Sequence, residues 1–511
     1  MLRIGDLLEH WADHRPDALA LVCGAQRLSW RELRRRVHRC ANALRALGLR
    51  QGDRLAVLLP NGVELIELYR AAATLGLGLV PLSPLLQPAG LAALLRDARP
   101  AALAWHASLR AVVDAVRAEV PSIPVPNWIA VGGDGGPGDP RYHELLAAAP
   151  ADPVAVAAVD EQDLCHLMYS SGTTGLPKGI VLTQRIRALY ALLFATTFRI
   201  DGDSVVLHAG SLVFNGAFVT LLPAWLQGCT YVLQERFDAV AYLDAVRRER
   251  ATHVMLVPSQ IAALLQAPNL DRAGLASLRM LCSLGAPLPL EHKRALLRLL
   301  PDAVYELYGL TEGFVTVLDA RDAAAHPDSV GVPLPWSGLR IVGPDGTLLP
   351  PGEVGEIVGH GPLLTPGYYG RPELTAQAIV DGWLHSGDLG YVDDLGYLHL
   401  VDRAKDLIIS GGVNIYPRDI EEVAAGHPQV REVAVFGAPD PEWGERPVAA
   451  LVLRDGAEAG VEALRDWINE RLAARYQRVR EVVVLDALPR NIAGKTLKRE
   501  LRERYLAARA G

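Results

Sequence analysis

The stretch Tyr169-Ser-Ser-Gly-Thr-Thr-Gly-Leu-Pro-Lys-Gly179 carries the most information about the fold and the chemistry of this 511-residue chain. Closely spaced glycines let several backbone N–H groups converge on phosphate oxygens, while the Ser and Thr hydroxyls add donors and Lys178 adds positive charge. The stretch does not contain the Gly-x-x-x-x-Gly-Lys-[Ser/Thr] pattern of a Walker A loop. It therefore predicts a phosphate-binding loop of a different type.

Strand and helix patterns alternate on both sides of this loop. A helix is predicted over residues 63–75, between apolar strands at 54–60 and 78–83. After the loop, a second series of apolar strands is predicted at 205–208, 229–233, 254–258 and 280–284. Such alternation is typical of βα units and parallel sheets. The expected fold class is α/β, with two parallel-type α/β subdomains in a large N-terminal domain.

The composition changes near residue 329, where Gly-, Pro- and Asp-rich turns separate short strands. This texture predicts a small β-rich subdomain over residues 329–402. The last hundred residues predict a compact α+β segment, with helices at 417–426 and 460–475 and strands at 432–437, 447–453 and 480–485. Because the chain is too long for one core, we expect an N-terminal domain at 1–402 and a C-terminal domain at 403–511.

Charge and cysteine usage exclude several classes of protein. The net charge is −7 and the pI is near 6.1, so the sequence shows no basic surface for nucleic acid. The five cysteines lie far apart, without metal-ligand spacing, which indicates free thiols in a reducing compartment. The longest apolar stretch, 205–225, is interrupted by His, Gly, Asn and Pro and does not predict a membrane span. A cytoplasmic protein is expected.

Seven further motifs follow the loop in a fixed order. They are Gly285-Ala-Pro-Leu-Pro289, Tyr305-Glu-Leu-Tyr-Gly-Leu-Thr-Glu312, Gly352-Glu-Val-Gly-Glu356, Gly382-Trp-Leu-His-Ser-Gly-Asp388, Asp402-Arg-Ala-Lys-Asp406, Ser410-Gly-Gly-Val-Asn-Ile-Tyr-Pro417 and Pro489-Arg-Asn-Ile-Ala-Gly-Lys495. With these motifs the whole chain resembles the adenylate-forming superfamily, which includes acyl- and aryl-CoA synthetases, adenylation domains of peptide synthetases, and luciferases. The resemblance implies ATP, Mg²⁺ and coenzyme A as the small molecules that the protein uses.

The resemblance assigns the phosphate and metal site to two motifs. The loop residues expected to bind phosphate are Ser170, Ser171, Gly172, Thr173, Thr174, Gly175 and Lys178, together with Thr311. Glu312 and Thr173 are expected to hold Mg²⁺, a hard cation that prefers oxygen ligands. The residues expected to act in catalysis are Lys495, Thr173, Lys178 and Glu312. Attack of a carboxylate on the α-phosphate brings two anions together, so a mobile cation such as Lys495 favours the transition state.

The adenosine and thiol sites are assigned by the same resemblance. Adenine is expected beside Gly285, Ala286, Pro287, Glu306, Leu307, Tyr308 and Gly309, with Tyr308 stacking on the ring. Asp388 is expected to accept both ribose hydroxyls, and Arg403 to reach ribose or phosphate. Lys405 marks the hinge about which a mobile C-terminal domain rotates, and Gly411 and Gly412 would border the tunnel for the thiol.

The acid pocket is expected to be apolar. Its predicted residues are Leu212, Phe214, Asn215, Gly216, Val257, Leu284, Gly285 and Leu310. Many acyl-CoA synthetases have a His at or next to the position of Phe214, so the resemblance leaves the identity of the acid open. His208 is expected to be a buried strand residue. A fatty, alicyclic or aryl acid is favoured over an amino acid, because Ser211–Gly216 contains no acidic residue to meet an ammonium group.

The predicted function is an ATP-dependent carboxylic acid:CoA ligase that forms an acyl-AMP and then a thioester. A stand-alone enzyme that loads a carrier protein shares every nucleotide-binding residue and remains an alternative. A nucleotide-binding scaffold without catalysis is a more distant alternative, and a luciferase-like oxygenase lacks any supporting feature. The expected partners are small molecules, with no nucleic acid and no membrane span, and a homodimer is left open.

Overall fold

The computed structural model describes residues 3–119, 125–133, 135–136, 138–170, 178–403, 406–410, 413–441, 443–457, 460–472, 477–490 and 496–510. The α-helices within these residues are α1 (Asp6–His14), α2 (Trp30–Ala46), α3 (Val63–Leu75), α4 (Pro88–Ala98), α5 (Arg110–Glu119), α6 (Tyr142–Ala148), α7 (Gln184–Phe198), α8 (Phe218–Gln227), α9 (Ala239–Glu249), α10 (Pro258–Leu265), α11 (Leu290–Leu299), α12 (Pro372–Ala378), α13 (Pro417–Ala425), α14 (Val461–Arg471) and α15 (Lys498–Ala510).

The β-strands are β1 (Leu19–Cys23), β2 (Gln26–Ser29), β3 (Arg54–Leu58), β4 (Gly78–Pro81), β5 (Ala102–His106), β6 (Asn127–Val131), β7 (Leu164–Ser170), β8 (Lys178–Thr183), β9 (Val205–His208), β10 (Thr230–Leu233), β11 (His253–Leu256), β12 (Met280–Leu284), β13 (Val304–Gly309), β14 (Val315–Leu318), β15 (Val332–Pro333), β16 (Gly338–Val342), β17 (Gly355–His360), β18 (Ile379–Val380), β19 (Trp383–Val392), β20 (Leu398–Arg403), β21 (Ile408–Ser410), β22 (Val413–Ile415), β23 (Val430–Asp440), β24 (Gly444–Leu453) and β25 (Glu481–Val484).

Two large sheets build the N-terminal part of the molecule. One has six strands in the order β6-β5-β3-β4-β7-β8, and only its last pair, β7–β8, is antiparallel. The other has nine strands in the order β15-β14-β13-β12-β11-β9-β10-β1-β2, and the six strands from β13 to β1 run parallel. The parallel α/β architecture predicted from the alternating pattern is confirmed.

The largest apolar core joins the two sheets through the helices between them. It includes Leu55 and Met168 from the six-stranded sheet, Val206 from the nine-stranded sheet, and Ile66 and Phe194 from α3 and α7. Helix α3 is buried on nearly all sides, and its buried residues include Glu67 and Arg70 as well as apolar side chains. Burying each such side chain contributes about 1.5–3 kcal/mol.

Two smaller sheets follow the nine-stranded sheet in the chain. The first is antiparallel, with the order β16-β17-β19-β18 and with β20 beside β19. The second contains β22-β21-β24-β23, with β25 parallel to β24, and packs on α13 and α14. The secondary structure agrees with the predicted β-rich and α+β segments. The boundary at 402–403 and the hinge near Lys405 remain predictions.

Two observations bear on the class of protein. No helix in the described part of the chain is long and apolar enough to cross a membrane. All five cysteines are free, and four of them are buried. Burial raises the pKa of the Cys165 thiol to about 12, so this thiol is protonated at neutral pH.

Candidate functional site

The predicted phosphate loop connects two antiparallel strands. Strand β7 ends at Ser170 and β8 begins at Lys178, and these two residues are directly paired across the ladder. The predicted site residues Ser171, Gly172, Thr173, Thr174, Gly175, Lys405, Gly411, Gly412 and Lys495 lie outside the described residues, as do the side chains of Ser170 and Arg403. Their assigned roles stay predictions.

Lys178 and Glu312 both contact the same tyrosine, Tyr368. The Lys178 ammonium lies 4.9 Å from the centre of the Tyr368 ring, within reach of a cation–π interaction. The Tyr368 hydroxyl donates to Oε1 of Glu312 at 2.9 Å. Burial and the neighbouring Glu312 charge both raise the pKa of Tyr368, which keeps its phenol protonated as a donor. The structure thus brings together two predicted catalytic residues that are 134 positions apart in the sequence.

The segment that carries Tyr368 is fixed by backbone hydrogen bonds to the same two elements. Val181 N–H donates to Gly367 C=O at 3.1 Å, and Tyr369 N–H donates to Gly179 C=O at 2.7 Å. Thr365 N–H donates to the carbonyl of Glu312 at 2.7 Å. Tyr368 is a site residue that the motifs did not indicate, although the sequence Gly367-Tyr-Tyr-Gly370 in a turn region is a signal that could have identified it.

Gly313 allows the Glu312 turn to approach this segment closely. Its φ of +116° is unfavourable for other residues, and an added Cβ would collide with the carbonyl of Leu363. The predicted neighbours Leu310 and Thr311 belong to the same turn, in which Gly313 N–H donates to Leu310 C=O at 3.0 Å. Any side chain at position 313 would therefore displace the Glu312 carboxylate.

Tyr308 and Asp388 form the second constellation. The Tyr308 hydroxyl donates to Oδ2 of Asp388 at 2.8 Å, although the two residues come from different sheets. Asp388 is paired in register with Arg403 across β19 and β20, which brings a third predicted nucleotide residue to the same place in the backbone. Asp388 lies in the middle of strand β19. Its contact with Tyr308 depends on the tertiary structure and could not be predicted from its motif alone.

Glu356, from the preceding motif, supports the turn that carries the Asp388 motif. Its carboxylate accepts from Gly387 N–H at 3.0 Å and contacts Nδ1 of His385 at 2.9 Å. Ser386 supports the same turn, since Asp388 N–H donates to its hydroxyl at 3.0 Å. Gly387 adopts a left-handed φ of +68° there. The motif over 352–356 therefore positions the motif over 382–388.

The adenine-side residues lie at the carboxyl ends of β12 and β13. Gly285, Ala286 and Pro287 follow β12 directly, and Leu307, Tyr308 and Gly309 end β13. Gly285 and Pro287 are exposed, whereas Leu307 is buried. Carboxyl ends of parallel strands are the usual location of ligand sites in open α/β sheets.

Glu306 is already engaged by protein partners. The Lys293 ammonium forms an ion pair with its carboxylate, and Leu288 N–H donates to Oε1 at 3.3 Å. Both charged side chains are buried, and Lys293 also donates to the carbonyl of Ser329 at 3.0 Å. This pair ties β13 to α11. Contact of Glu306 with adenine stays a prediction.

Four of the predicted acid-pocket residues come together at the same edge of the nine-stranded sheet. An added Cβ on Gly216 would lie 2.7 Å from Cδ1 of Leu284, so the two residues are in close contact. A Cβ on Gly285 would lie 3.6 Å from Cγ1 of Val257. Glycine at position 216 therefore lets the segment before α8 pack directly against Leu284, and Gly285 at the end of β12 lies beside Val257.

The segment before α8 has a covered side and an accessible side. Leu212 is completely buried, and its N–H donates to Oδ1 of Asn61 at 3.0 Å, so it supports the segment from behind. Phe214, Asn215 and Gly216 are only partly buried. Asn61 also lines a cavity of about 660 Å³, together with Cys23 and His106 among others. Of the predicted site residues that the structure describes, none lines that cavity.

His208 is a buried strand residue, as expected. It is 1% exposed at the end of β9, and burial lowers its pKa to about 4, so the ring is neutral at pH 7. Its ring lies nearly parallel to that of Tyr231, at 6.3 Å between centroids. These contacts give His208 a packing role.

The residues present are suited to Mg²⁺ bound together with nucleotide phosphates. Glu312 offers a half-buried carboxylate that accepts from Tyr368, the residue whose ring Lys178 contacts. No cluster of three acidic, His or Cys side chains occurs in the part of the chain that the structure describes. A site with one carboxylate fits Mg²⁺ that completes its shell with phosphate oxygens and water.

Comparison with known proteins shows the family of the chain. Residues 8–369 match the family of AMP-binding enzymes, and residues 419–495 match the AMP-binding enzyme C-terminal domain. The chain belongs to the AMP-binding enzyme family. The predicted membership in the adenylate-forming superfamily is thereby confirmed.

Relatives of known name cover the whole chain. The protein is 40% identical over 494 residues to feruloyl-CoA synthase of an Amycolatopsis species, with 96% of both chains covered. It is 35% identical over 515 residues to the long-chain-fatty-acid–CoA ligase FadD13 of Mycobacterium tuberculosis, with 99% of both covered. The crystal structure of ATP-bound MatB from Rhodopseudomonas palustris is similar at a TM-score of 0.89 and 31% identity, over 99% of each chain.

Proposed function

We propose that the protein is an ATP-dependent ligase that joins an apolar carboxylic acid to coenzyme A. In the first reaction, an oxygen of the carboxylate attacks the α-phosphorus of ATP, the bond to the bridging oxygen breaks, and pyrophosphate leaves. In the second reaction, the thiol of coenzyme A attacks the acyl carbon and AMP leaves with the electron pair of the broken C–O bond. The products are an acyl-CoA, AMP and pyrophosphate.

One observation carries this proposal. Motifs distant in sequence meet as two contact groups, Lys178 with Tyr368 and Glu312, and Tyr308 with Asp388. The first group combines a cation and a carboxylate at the end of the phosphate loop, and the second combines a ring and a carboxylate, which suits a nucleoside. The family match and the relatives' names, which are those of CoA ligases, confirm the predicted enzyme class.

The described residues have separate tasks in the first reaction. Lys178 places positive charge at the end of the phosphate loop, where negative charge accumulates. Glu312 would hold Mg²⁺, which when bound neutralises phosphate charge and withdraws electron density from phosphorus. Asp388 would accept hydroxyl hydrogen bonds from the ribose. No general base is needed, because the nucleophile is already a carboxylate.

The surroundings of the acid favour an aryl or fatty acid. Val257, Leu284 and the ring of Phe214 offer apolar surface, which suits an aromatic ring or an alkyl chain. The names of the two relatives, one a feruloyl-CoA synthase and the other a fatty-acid–CoA ligase, span this range. The reaction is proposed to take place in the cytoplasm, where ATP and coenzyme A are available.

An acid-panel experiment tests the proposal. Purified protein is mixed with ATP and Mg²⁺ and with one of ferulate, 4-coumarate, indoleacetate, anthranilate or palmitate. Acid-dependent exchange of labelled pyrophosphate into ATP reports the first reaction, and the thioester formed on addition of coenzyme A reports the second. At least one acid is expected to support both reactions.

The outcomes separate the alternatives. Exchange with a thioester formed on a phosphopantetheinylated carrier protein, but not on free coenzyme A, would replace the ligase by a carrier-loading enzyme. The absence of exchange with every acid would overturn the proposal and favour a nucleotide-binding scaffold.

A further inference from the structure

Arg187 is a completely buried arginine at the start of α7, the helix that follows the phosphate loop and β8. Its side chain is 0% exposed. Nε donates to Nδ1 of His166 at 3.1 Å, and Nη1 donates to Oδ1 of Asn215 at 2.9 Å. Nη2 is buried and has no hydrogen-bond partner among the described residues. The guanidinium thus links the strand that enters the phosphate loop to the acid-pocket segment.

The charge of Arg187 is not balanced by a carboxylate among the described side chains. His166 is a neutral partner, because burial and the adjacent guanidinium hold its pKa well below the usual range. Asn215 is neutral, and the ring centres of Tyr190 and Phe218 lie 5.0 and 4.4 Å from the guanidinium carbon. The Cys165 thiol and the Tyr69 phenol also interact with the guanidinium, and burial raises the pKa of both, so neither supplies a negative charge at pH 7. A buried charge without an opposite charge is costly, so an anion bound nearby would be stabilised strongly.

The hydrogen bonds around Asn215 have a defined direction. An arginine only donates, so the atom that faces it must be the amide oxygen of Asn215. The amide nitrogen then donates to the Tyr190 hydroxyl at 3.1 Å, which fixes the plane of the amide. Burial is the main cause that raises the pKa of Tyr190, and the Glu312 charge adds to it, so the Tyr190 hydroxyl stays protonated.

We propose that Asn215, held by Arg187 and Tyr190, binds the carboxylate of the acid, with Arg187 as the buried positive charge behind it. Asn215 is partly exposed and can touch the acid, while its second amide N–H supplies a donor. Arg187 acts through Asn215 and is a positioning residue. In this arrangement the positive charge of Arg187 lowers the electrostatic repulsion between the carboxylate of the acid and the phosphates of ATP. This inference rests on the proposed ligase function.

The test compares four variants in the pyrophosphate exchange assay, with ferulate and palmitate as acids. Arg187→Met removes the charge and keeps the length, Arg187→Lys keeps the charge, and Asn215→Ala removes the amide. Arg70→Met is a matched control, because Arg70 is also buried but stacks on the ring of Trp225 at 3.7 Å. Thermal unfolding confirms that each variant is folded.

Loss of a hydrogen bond to a charged group predicts a rise of about tenfold or more in the KM for the acid in Arg187→Met and Asn215→Ala. The KM for ATP is expected to stay within about twofold. Arg187→Lys is expected to restore part of the loss, and Arg70→Met to leave the KM for the acid unchanged. Ferulate and its primary amide are also compared as competitive inhibitors. The ratio of their affinities should be smaller in Arg187→Met than in the unmodified enzyme. A purely structural role of Arg187 would not change this ratio.

Three results would overturn the inference. The first is an unchanged KM for the acid in Asn215→Ala. This variant alters only a partly exposed side chain, so its result is decisive even if Arg187→Met fails to fold. The second is an equal rise in the KM for ATP, which would make a phosphate the anion that Arg187 serves. The third is the absence of exchange in the unmodified enzyme with every acid, which overturns the proposed function as well. An active unmodified enzyme with unaffected variants overturns only the role of Asn215 and Arg187.

Discussion

Two parts of the predicted site are built in different ways. The nucleotide side contains Lys178, Tyr368, Glu312, Tyr308 and Asp388, and the acid side contains the cluster around Asn215. On the nucleotide side, every residue of the two contact groups except Tyr368 lies in a recognisable motif, and the contacts are direct hydrogen bonds or ring contacts. On the acid side, the polar cluster consists of Arg187, Asn215, Tyr190 and His166, of which only Asn215 was predicted. The nucleotide is the same in all enzymes of this type, whereas the acid differs.

This difference has a physical basis. Phosphate, ribose and Mg²⁺ require particular donors, acceptors and charges, so the residue types that bind them are narrowly restricted. An apolar group requires only volume and apolar surface, which many side chains can supply. The acid pocket can therefore vary its residues freely, provided that the charge of the carboxylate is matched.

The largest expected effect concerns Lys495. Replacement by Ala should lower the rate of adenylation about 10²–10³-fold, because one cation at the transition state is lost. Thioester formation from supplied acyl-AMP should change much less. The two rates are measured separately, by pyrophosphate exchange and by thioester release. Equal losses in both would remove the catalytic role assigned to Lys495 from its motif.

A smaller effect is expected at the ribose contact. Asp388→Asn should raise the KM for ATP about tenfold, because the carboxamide replaces a charged acceptor by a weaker one. Tyr308→Phe, which removes only the hydroxyl that donates to Asp388, serves as the matched variant and should have a weaker effect. Steady-state kinetics with varied ATP and saturating acid measure both. A change in the KM for the acid of the same size would show that the two sides of the site are not separate.

At the boundary of the two sides, Phe214→Ala should change the preference among acids by about three- to tenfold, since truncating the ring loosens an apolar wall. The KM for ATP should not change. Relative kcat/KM values for ferulate and palmitate give the measurement. If the preference stayed fixed while ATP binding weakened, Phe214 would belong to the nucleotide side.

The smallest effect is expected for His208→Phe. Because the folded state holds His208 neutral with a pKa of about 4, the unfolded chain takes up its proton first as the pH falls below about 6.5. Stability from this residue is therefore present at pH 7 and decreases between pH 6.5 and 4, by up to about 2 kcal/mol at pH 5. The variant should lose less stability than the unmodified protein when unfolding temperatures at pH 7 and pH 5 are compared.

Kinetics at pH 7 provide the control for the same variant. The KM values for acid and ATP should match those of the unmodified enzyme, since His208 is packed behind the site. A raised KM for the acid would give His208 the binding role that its burial argues against.

Much of the secondary structure followed from local pattern. The helix predicted at 63–75 occurs at Val63–Leu75, and the strands at 205–208 and 280–284 occur at Val205–His208 and Met280–Leu284. Apolar periodicity, glycine at helix ends and turn residues are local features, so they can be read without the fold. Long-range pairing cannot be read in this way. The first two strands of the chain join the edge of the nine-stranded sheet beside β10, far from them in sequence.

The sequence by itself determined the enzyme family and the type of reaction, and it predicted the nucleotide residues, because the chemistry of ATP restricts which residue types can serve at each motif. Tertiary structure alone decided that Tyr368 bridges Lys178 and Glu312, that Lys293 occupies Glu306, and that Arg187 lies buried behind Asn215. These contacts join elements from different sheets and helices. Burial and the absence of a counter-charge are properties of the packed molecule, and a residue type cannot reveal them.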